Sequence, residues 1–171
     1  MSIERFNFAD AQQLDVALVA GVVALLQADI EQHGRAILVV SGGRTPTGFL
    51  QLLSRQTLDW RRVTVTLADE RWVDAEHADS NEKLIRQNLL LNNADAATFI
   101  GLKNSAATAT LGQAMASQTL ARLGRFTVVI LGMGEDGHTA SLFPGSADLP
   151  SGLNMESGLA CIAITPEHAA Y

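Results

Sequence analysis

Apolar and polar positions along the chain change period several times, and each change marks an element. From Asp10 to Gly34 the apolar residues Leu14, Leu18, Val22, Leu25, Leu26 and Ile30 recur at helical spacing. Asp10 is a candidate N-cap for that helix and Gly34 a candidate C-cap. Ala36–Val40 is a short continuous apolar run and predicts a buried strand, and a helix is expected from about Thr45 to Arg55. Val63–Ala68, rich in β-branched residues, predicts a second strand, with Ser80-Asn81-Glu82-Lys83 opening a helix to about Leu91. Thr98–Leu102 predicts a short strand, Ala106–Leu123 an Ala-rich helix, and Phe126–Leu131 and Leu159–Ile164 two more strands. Gly145–Gly158 reads as a surface loop. Strands alternating with helices imply right-handed crossovers and a parallel sheet with helices on both faces, a three-layer α/β/α Rossmann-like fold.

Composition narrows this picture. With 171 residues, 47% hydrophobic and 18% charged, residues 1–171 suit a single domain with a substantial core. A net charge of −6 argues against nucleic acid or an anionic membrane as main partner. Cys161 is the sole cysteine and lies in an apolar run, where a buried, reduced thiol is expected. The N-terminus has no signal-peptide core, so a cytoplasmic protein is expected.

Candidate chemistry collects at the predicted strand ends. After Phe126–Leu131 comes Gly132-Met133-Gly134-Glu135-Asp136-Gly137-His138, which sets one acid and one imidazole in a glycine-rich turn. Glycines let the backbone turn sharply and approach a ligand. A carboxylate two residues before a histidine can fix its tautomer and suits general acid–base catalysis, so Asp136 and His138 are the candidate catalytic pair. Ser41-Gly42-Gly43-Arg44-Thr45-Pro46 joins a strand to a helix, with Thr45 a plausible N-cap and Pro46 in the first turn. Its glycines can form an anion-binding nest and Arg44 adds a full charge, a combination that suits phosphate. The alternative is a tight turn in which the glycines serve geometry only. Asp69-Glu70-Arg71-Trp72 follows the second strand; Arg71 could bind phosphate and Asp69 a sugar hydroxyl, or both could belong to a surface ion-pair cluster. His33, His77 and His168 show no ligand spacing with His138, so no metal site is expected. Ser141 lacks a nucleophile-elbow motif.

Three segments in order resemble the 6-phosphogluconolactonase family: Ser41–Pro46; Asp69-Glu70-Arg71-Trp72-Val73 with Ser80-Asn81; and Gly132-Met133-Gly134-Glu135-Asp136-Gly137-His138-Thr139-Ala140-Ser141-Leu142-Phe143-Pro144. The same superfamily holds glucosamine-6-phosphate deaminases, which tend to carry Ile-Ala-Phe-Asn-Glu-Pro where this chain has Thr-Ala-Ser-Leu-Phe-Pro. The resemblance implies cofactor-free hydrolysis of 6-phospho-D-glucono-1,5-lactone, with the 42–45 loop and Arg71 holding the 6-phosphate and His138 activating water. Asp136 would support His138, and N–H groups around Gly132 and Gly134 would face the oxyanion. Ser41 and Asp69 complete the implied substrate-binding set. The partner implied is a small phosphosugar lactone, the protein being a monomer or small homo-oligomer. Because family members are longer, the resemblance also implies that a chain ending at Tyr171 is C-terminally truncated, lacking a sheet element and a wall of the phosphate pocket. A deaminase- or isomerase-like enzyme and a non-catalytic sugar-phosphate sensor remain as alternatives.

Overall fold

The computed structural model describes residues 3–165. Four strands, β1 (Ala36–Val40), β2 (Val63–Leu67), β3 (Thr98–Ile100) and β4 (Val128–Val129), form one parallel sheet in the order β3-β2-β1-β4. β1 is central and buried along its whole length, as its uninterrupted apolar sequence requires when both sheet faces are covered. Its register sets Ala36 beside Val63 and Leu38 beside both Val65 and Val128.

Among the described residues five α-helices accompany the sheet: α1 (Ala11–His33), α2 (Thr47–Leu53), α3 (Asn81–Asn88), α4 (Ala109–Ala121) and the short α5 (Leu149–Gly152). The connections from β1 through β2 to β3 move in one direction, and α2 packs against α3. The return from β3 to β4 reverses direction, which by the right-handed rule for parallel crossovers sends α4 to the opposite face. The reversal leaves a switch point between the carboxyl ends of β1 and β4, where open α/β sheets form a crevice.

α1 is capped as its sequence predicts. Asp10 accepts from the Gln13 N–H at 2.8 Å, and Gly34 takes the left-handed conformation with φ 78°. This helix is long and apolar enough to span a membrane, with mean hydropathy 1.6 over its most apolar window. Here Val19, Val22 and Leu26 form a stripe buried in the core, while Leu14 and Leu25 stay exposed. α1 is apolar nearly all round, so periodicity alone does not say which side faces the sheet. The buried Asp29 pins its last turn to the start of β4: the carboxylate accepts from Thr127 Oγ1 and Arg125 Nη2, and pairs with His33 Nδ1 at 2.6 Å.

Four element predictions need correction. The 145–158 stretch, expected as a loop, contains α5 and a 3-10 turn at Met155–Ser157. α2 begins at Thr47, not Thr45; Pro46 occupies the N-cap position and no side chain caps the helix. β4 pairs over two residues, although Thr127 and Ile130 extend the ladder by donating to Ile37 O and Val39 O, each at 2.9 Å. Residues 159–164 do not form a strand. Their backbone is engaged by side chains of α4 instead: the Ala160 N–H donates to Ser117 Oγ at 2.9 Å and the Ala163 N–H to Gln113 Oε1 at 2.8 Å. An apolar run satisfies burial equally well against a helix when no sheet edge takes its N–H groups. His168 and the chain end at Tyr171 lie outside the described residues.

Candidate active site

The glycine-rich loop after β4 folds back on itself. Gly134 N–H donates to His138 O at 2.8 Å, and Gly137, at φ 85°, donates to Gly134 O at 3.0 Å. His138 Nδ1 lies 2.6 Å from Asp136 Oδ1, which also accepts the His138 backbone N–H at 3.1 Å. Those two hydrogen bonds hold the Asp136 carboxyl below its usual range, the backbone bond contributing more. A carboxylate on Nδ1 selects the tautomer with the proton there and leaves Nε2 as the basic nitrogen. Phe143 packs against the imidazole with ring centroids 4.7 Å apart. A side chain at Gly134 would strike His138, its Cβ falling 2.2 Å from Cε1, so the close approach requires glycine. The Gly134 N–H is spent on His138 O, whereas Gly132 lies exposed at the loop's start.

At the end of β1, Ser41 Oγ donates to Ile130 O at 3.1 Å and ties this strand end to that of β4. Gly42 is half-buried, whereas Gly43, Arg44 and Thr45 are exposed on the rim, with Gly43 at φ 92°. The loop therefore presents backbone and a guanidinium to solvent at the switch point.

The charged end of β2 divides into different roles. Asp69 is largely buried: Oδ2 accepts from Ser141 Oγ at 2.8 Å, and Oδ1 accepts from Asn81 Nδ2 at 3.1 Å. Arg71 Nε is 3.9 Å from Asp69 Oδ2, with the Arg71 side chain 27% exposed. Glu70 turns away to organise α3. Its carboxylate accepts the N–H groups of Arg71, Asn81 and Glu82 at 2.7, 2.9 and 2.9 Å, neutralising orphan donors at the helix start. Trp72 is held left-handed at φ 53°, its Nε1 donating to Ala106 O at 3.1 Å.

Asp69, Trp72, Ala140, Ser141, Gln113 and Cys161 line one cavity of about 300 Å³. Cys161 is half-buried in its wall, and burial pushes its thiol pKa up. Among the described residues, no three His, Cys, Asp or Glu side chains gather as metal ligands.

Loops from three strand ends, β1, β2 and β4, thus meet at one sheet edge, joined by Ser41, Asn81, Asp69 and Ser141. Residues 9–170 match the family model described as glucosamine-6-phosphate isomerases/6-phosphogluconolactonase. The chain belongs to this family. It is 44% identical over 163 residues to a protein of Pseudomonas putida named 6-phosphogluconolactonase, covering 95% of this chain and 67% of that one. A 6-phosphogluconolactonase of Rhizobium meliloti is 45% identical over 170 residues, with coverages of 99% and 73%. For the Pseudomonas aeruginosa protein of the same name the identity is 47%, over 85% of this chain and 61% of that one. A crystal structure of a 6-phosphogluconolactonase from Shewanella baltica superposes with TM-score 0.90 at 46% identity, covering 94% of this chain and 68% of that chain. The chain thus spans from three fifths to three quarters of the length of these relatives. A monomeric glucosamine-6-phosphate deaminase shares the fold, with TM-score 0.71 at 17% identity.

Two residues of the site carry contacts that the spacing of acids and histidines did not single out. Asn81 looks like an ordinary first-turn helix residue, and Ser141 lacks a nucleophile motif. Both are found through what they touch.

Proposed function

We propose that this chain hydrolyses 6-phospho-D-glucono-1,5-lactone to 6-phospho-D-gluconate, as a cytoplasmic enzyme acting on a small phosphosugar without nucleic-acid or membrane partners. The observation that carries this reading is the His138–Asp136 pair, 2.6 Å apart at the carboxyl end of β4. The loop carrying Arg44 and the β2 end carrying Arg71 belong to the same sheet edge. In this mechanism Nε2 of His138 takes a proton from water as its oxygen attacks C1 of the lactone. Charge develops on the carbonyl oxygen, which the exposed N–H groups at the start of the 132–134 segment stabilise. Collapse of the tetrahedral intermediate breaks the bond from C1 to the ring oxygen, and His138 returns the proton to that oxygen. Asp136 holds the imidazole orientation and offsets its positive charge between the two steps. Arg44, the glycines beside it and Arg71 hold the 6-phosphate, with Asp69 oriented toward sugar hydroxyls.

The names of the relatives support this reaction, as does the absence of an acid from Leu142-Phe143-Pro144, where the deaminases are expected to carry a glutamate. The test is lactone hydrolysis by the purified chain, with lactone generated in situ and spontaneous opening subtracted. Turnover that vanishes in His138→Ala supports the reading. A rate equal to spontaneous opening overturns it.

A further inference from the structure

We infer that Asn81 is a positioning residue that sets the distance between the glycine loop after β1 and the Asp69 carboxylate; this inference rests on the hydrolase reading of the same site. Asn81 is 2% exposed and opens α3. Its side-chain amide spends both donors on one residue: Nδ2 donates to Asp69 O at 2.9 Å and to Asp69 Oδ1 at 3.1 Å. Those two acceptors fix which way the amide points and turn Asn81 Oδ1 toward the glycine loop. There a Cβ on Gly42 would fall 1.7 Å from that oxygen, so the loop backbone rests directly on the amide.

Helix capping does not account for this arrangement. Glu70 already accepts the Asn81 and Glu82 N–H groups, and Ser80 Oγ accepts the Lys83 N–H at 3.2 Å. What the amide adds is orientation. With Oδ1 of Asp69 held by Asn81, Oδ2 faces Ser141 in the loop that carries His138. One buried amide therefore sets the loop after β1 and the acid after β2 against each other, and misplacement by about 1 Å can cost on the order of 10²-fold in rate.

Asn81→Asp separates positioning from packing. Its shape is unchanged, the backbone bond to Glu70 remains and an acid suits a first helical turn, but both donors toward Asp69 are lost. The introduced carboxylate faces Asp69, with Arg71 beyond Asp69, while Glu70 stays on the backbone N–H of residue 81. Two facing carboxyls share one proton as pH falls, and that proton restores a hydrogen bond between them. The expected result is a fall in kcat/KM on the order of 10–10²-fold at neutral pH. The ratio to wild type should recover as pH is lowered, with circular dichroism showing the variant folded. A ratio near one at neutral pH, or a deficit flat with pH, would overturn the inference.

A second measurement does not depend on turnover. Gly42→Ala should lower Tm in the wild-type background and much less in Asn81→Ala, which empties the space the new methyl needs. Additive effects would overturn the contact itself. A wild-type chain without lactone turnover defeats the hydrolase reading instead; the Asn81 inference is then decided by this cycle together with 6-phosphogluconate binding, which Asn81→Asp must weaken.

Discussion

Ser141 and Asp69 lie 72 positions apart in the chain, yet Ser141 Oγ donates to Asp69 Oδ2 at 2.8 Å. That bond joins the loop after β4 to the end of β2, and both residues line the same cavity. It makes the serine hydroxyl a donor that orients the Asp69 carboxylate. Ser141→Ala removes one hydrogen bond to a charged, largely buried acceptor, a loss of about 1.5–3 kcal/mol. The expected outcome is a drop in kcat/KM of roughly ten- to a hundredfold with activity retained. A loss as deep as the one proposed for His138→Ala would mean that Ser141 takes part in bond making.

His138→Ala should lower kcat by on the order of 10²–10⁴ while leaving KM close to wild type, since the imidazole is placed to move a proton. Arg71→Ala should do the reverse under the proposed phosphate-holding role, raising KM with a smaller effect on kcat, because such a group would act equally on ground and transition states. Steady-state kinetics on the two variants side by side checks both.

Ala140, next to Ser141, adopts φ 50° without being glycine. The left-handed region costs an L-residue roughly 1–2 kcal/mol, while glycine costs about 0.5–1 kcal/mol of extra chain entropy. Relief exceeds cost, so Ala140→Gly should raise Tm by about 1–3 °C for a chain of this size. Thermal unfolding reads the sign directly. A fall in Tm would show that the methyl's contacts outweigh the strain.

Gly112 packs directly against Trp72, and a Cβ there would come 2.1 Å from the indole Cζ2. Alanine improves helix propensity by about 1 kcal/mol over glycine, but overpacking costs roughly 1–3 kcal/mol. Gly112→Ala should therefore destabilise on balance. Because the displaced Trp72 adjoins Arg71, KM should rise with it. A stabilised variant with unchanged KM would show that Trp72 moves freely and does not hold Arg71.

Asp29 supplies the pH-dependent clasp at the far end of the sheet. Its carboxyl is held below the usual range first by the Thr127 hydroxyl, with His33 and Arg125 adding to that effect. A carboxyl whose pKa is lower in the folded than in the unfolded state stabilises the fold above its unfolded pKa, and loses that contribution as pH falls through the folded value. The Tm gap between wild type and Asp29→Asn should be full near neutral pH. It should close as pH drops below about 3.9, the ordinary value for an aspartate. A gap that persists unchanged in acid would assign the effect to packing instead of charge.

Much of this architecture is legible in local pattern, because the forces that decide it are local. Asp10 and Gly34 bracket α1 through hydrogen bonds within a few residues, the uninterrupted apolar run of β1 suits a strand covered on both faces, and the β-branched run of β2 suits the strand beside it. The Asp136–His138 pair is likewise a short-range event, two residues apart in a glycine turn. Local pattern fails where satisfaction comes from elsewhere. The 159–164 run has strand composition, but Ser117 and Gln113 take its backbone donors. Glu70 reads as part of a charged cluster and in the fold serves the start of α3, eleven residues on. Sequence by itself determined the α/β class, the order of the four strands and the long helices between them, and the three loops where glycines gather with charged residues or histidine, since periodicity, caps and glycine placement act over a few residues. Only the tertiary structure decided that Asn81 seats Gly42 and Asp69 and that Ser141 closes onto the same carboxylate, because those contacts join residues 12 to 72 positions apart that meet only when the strands have found their places in one sheet.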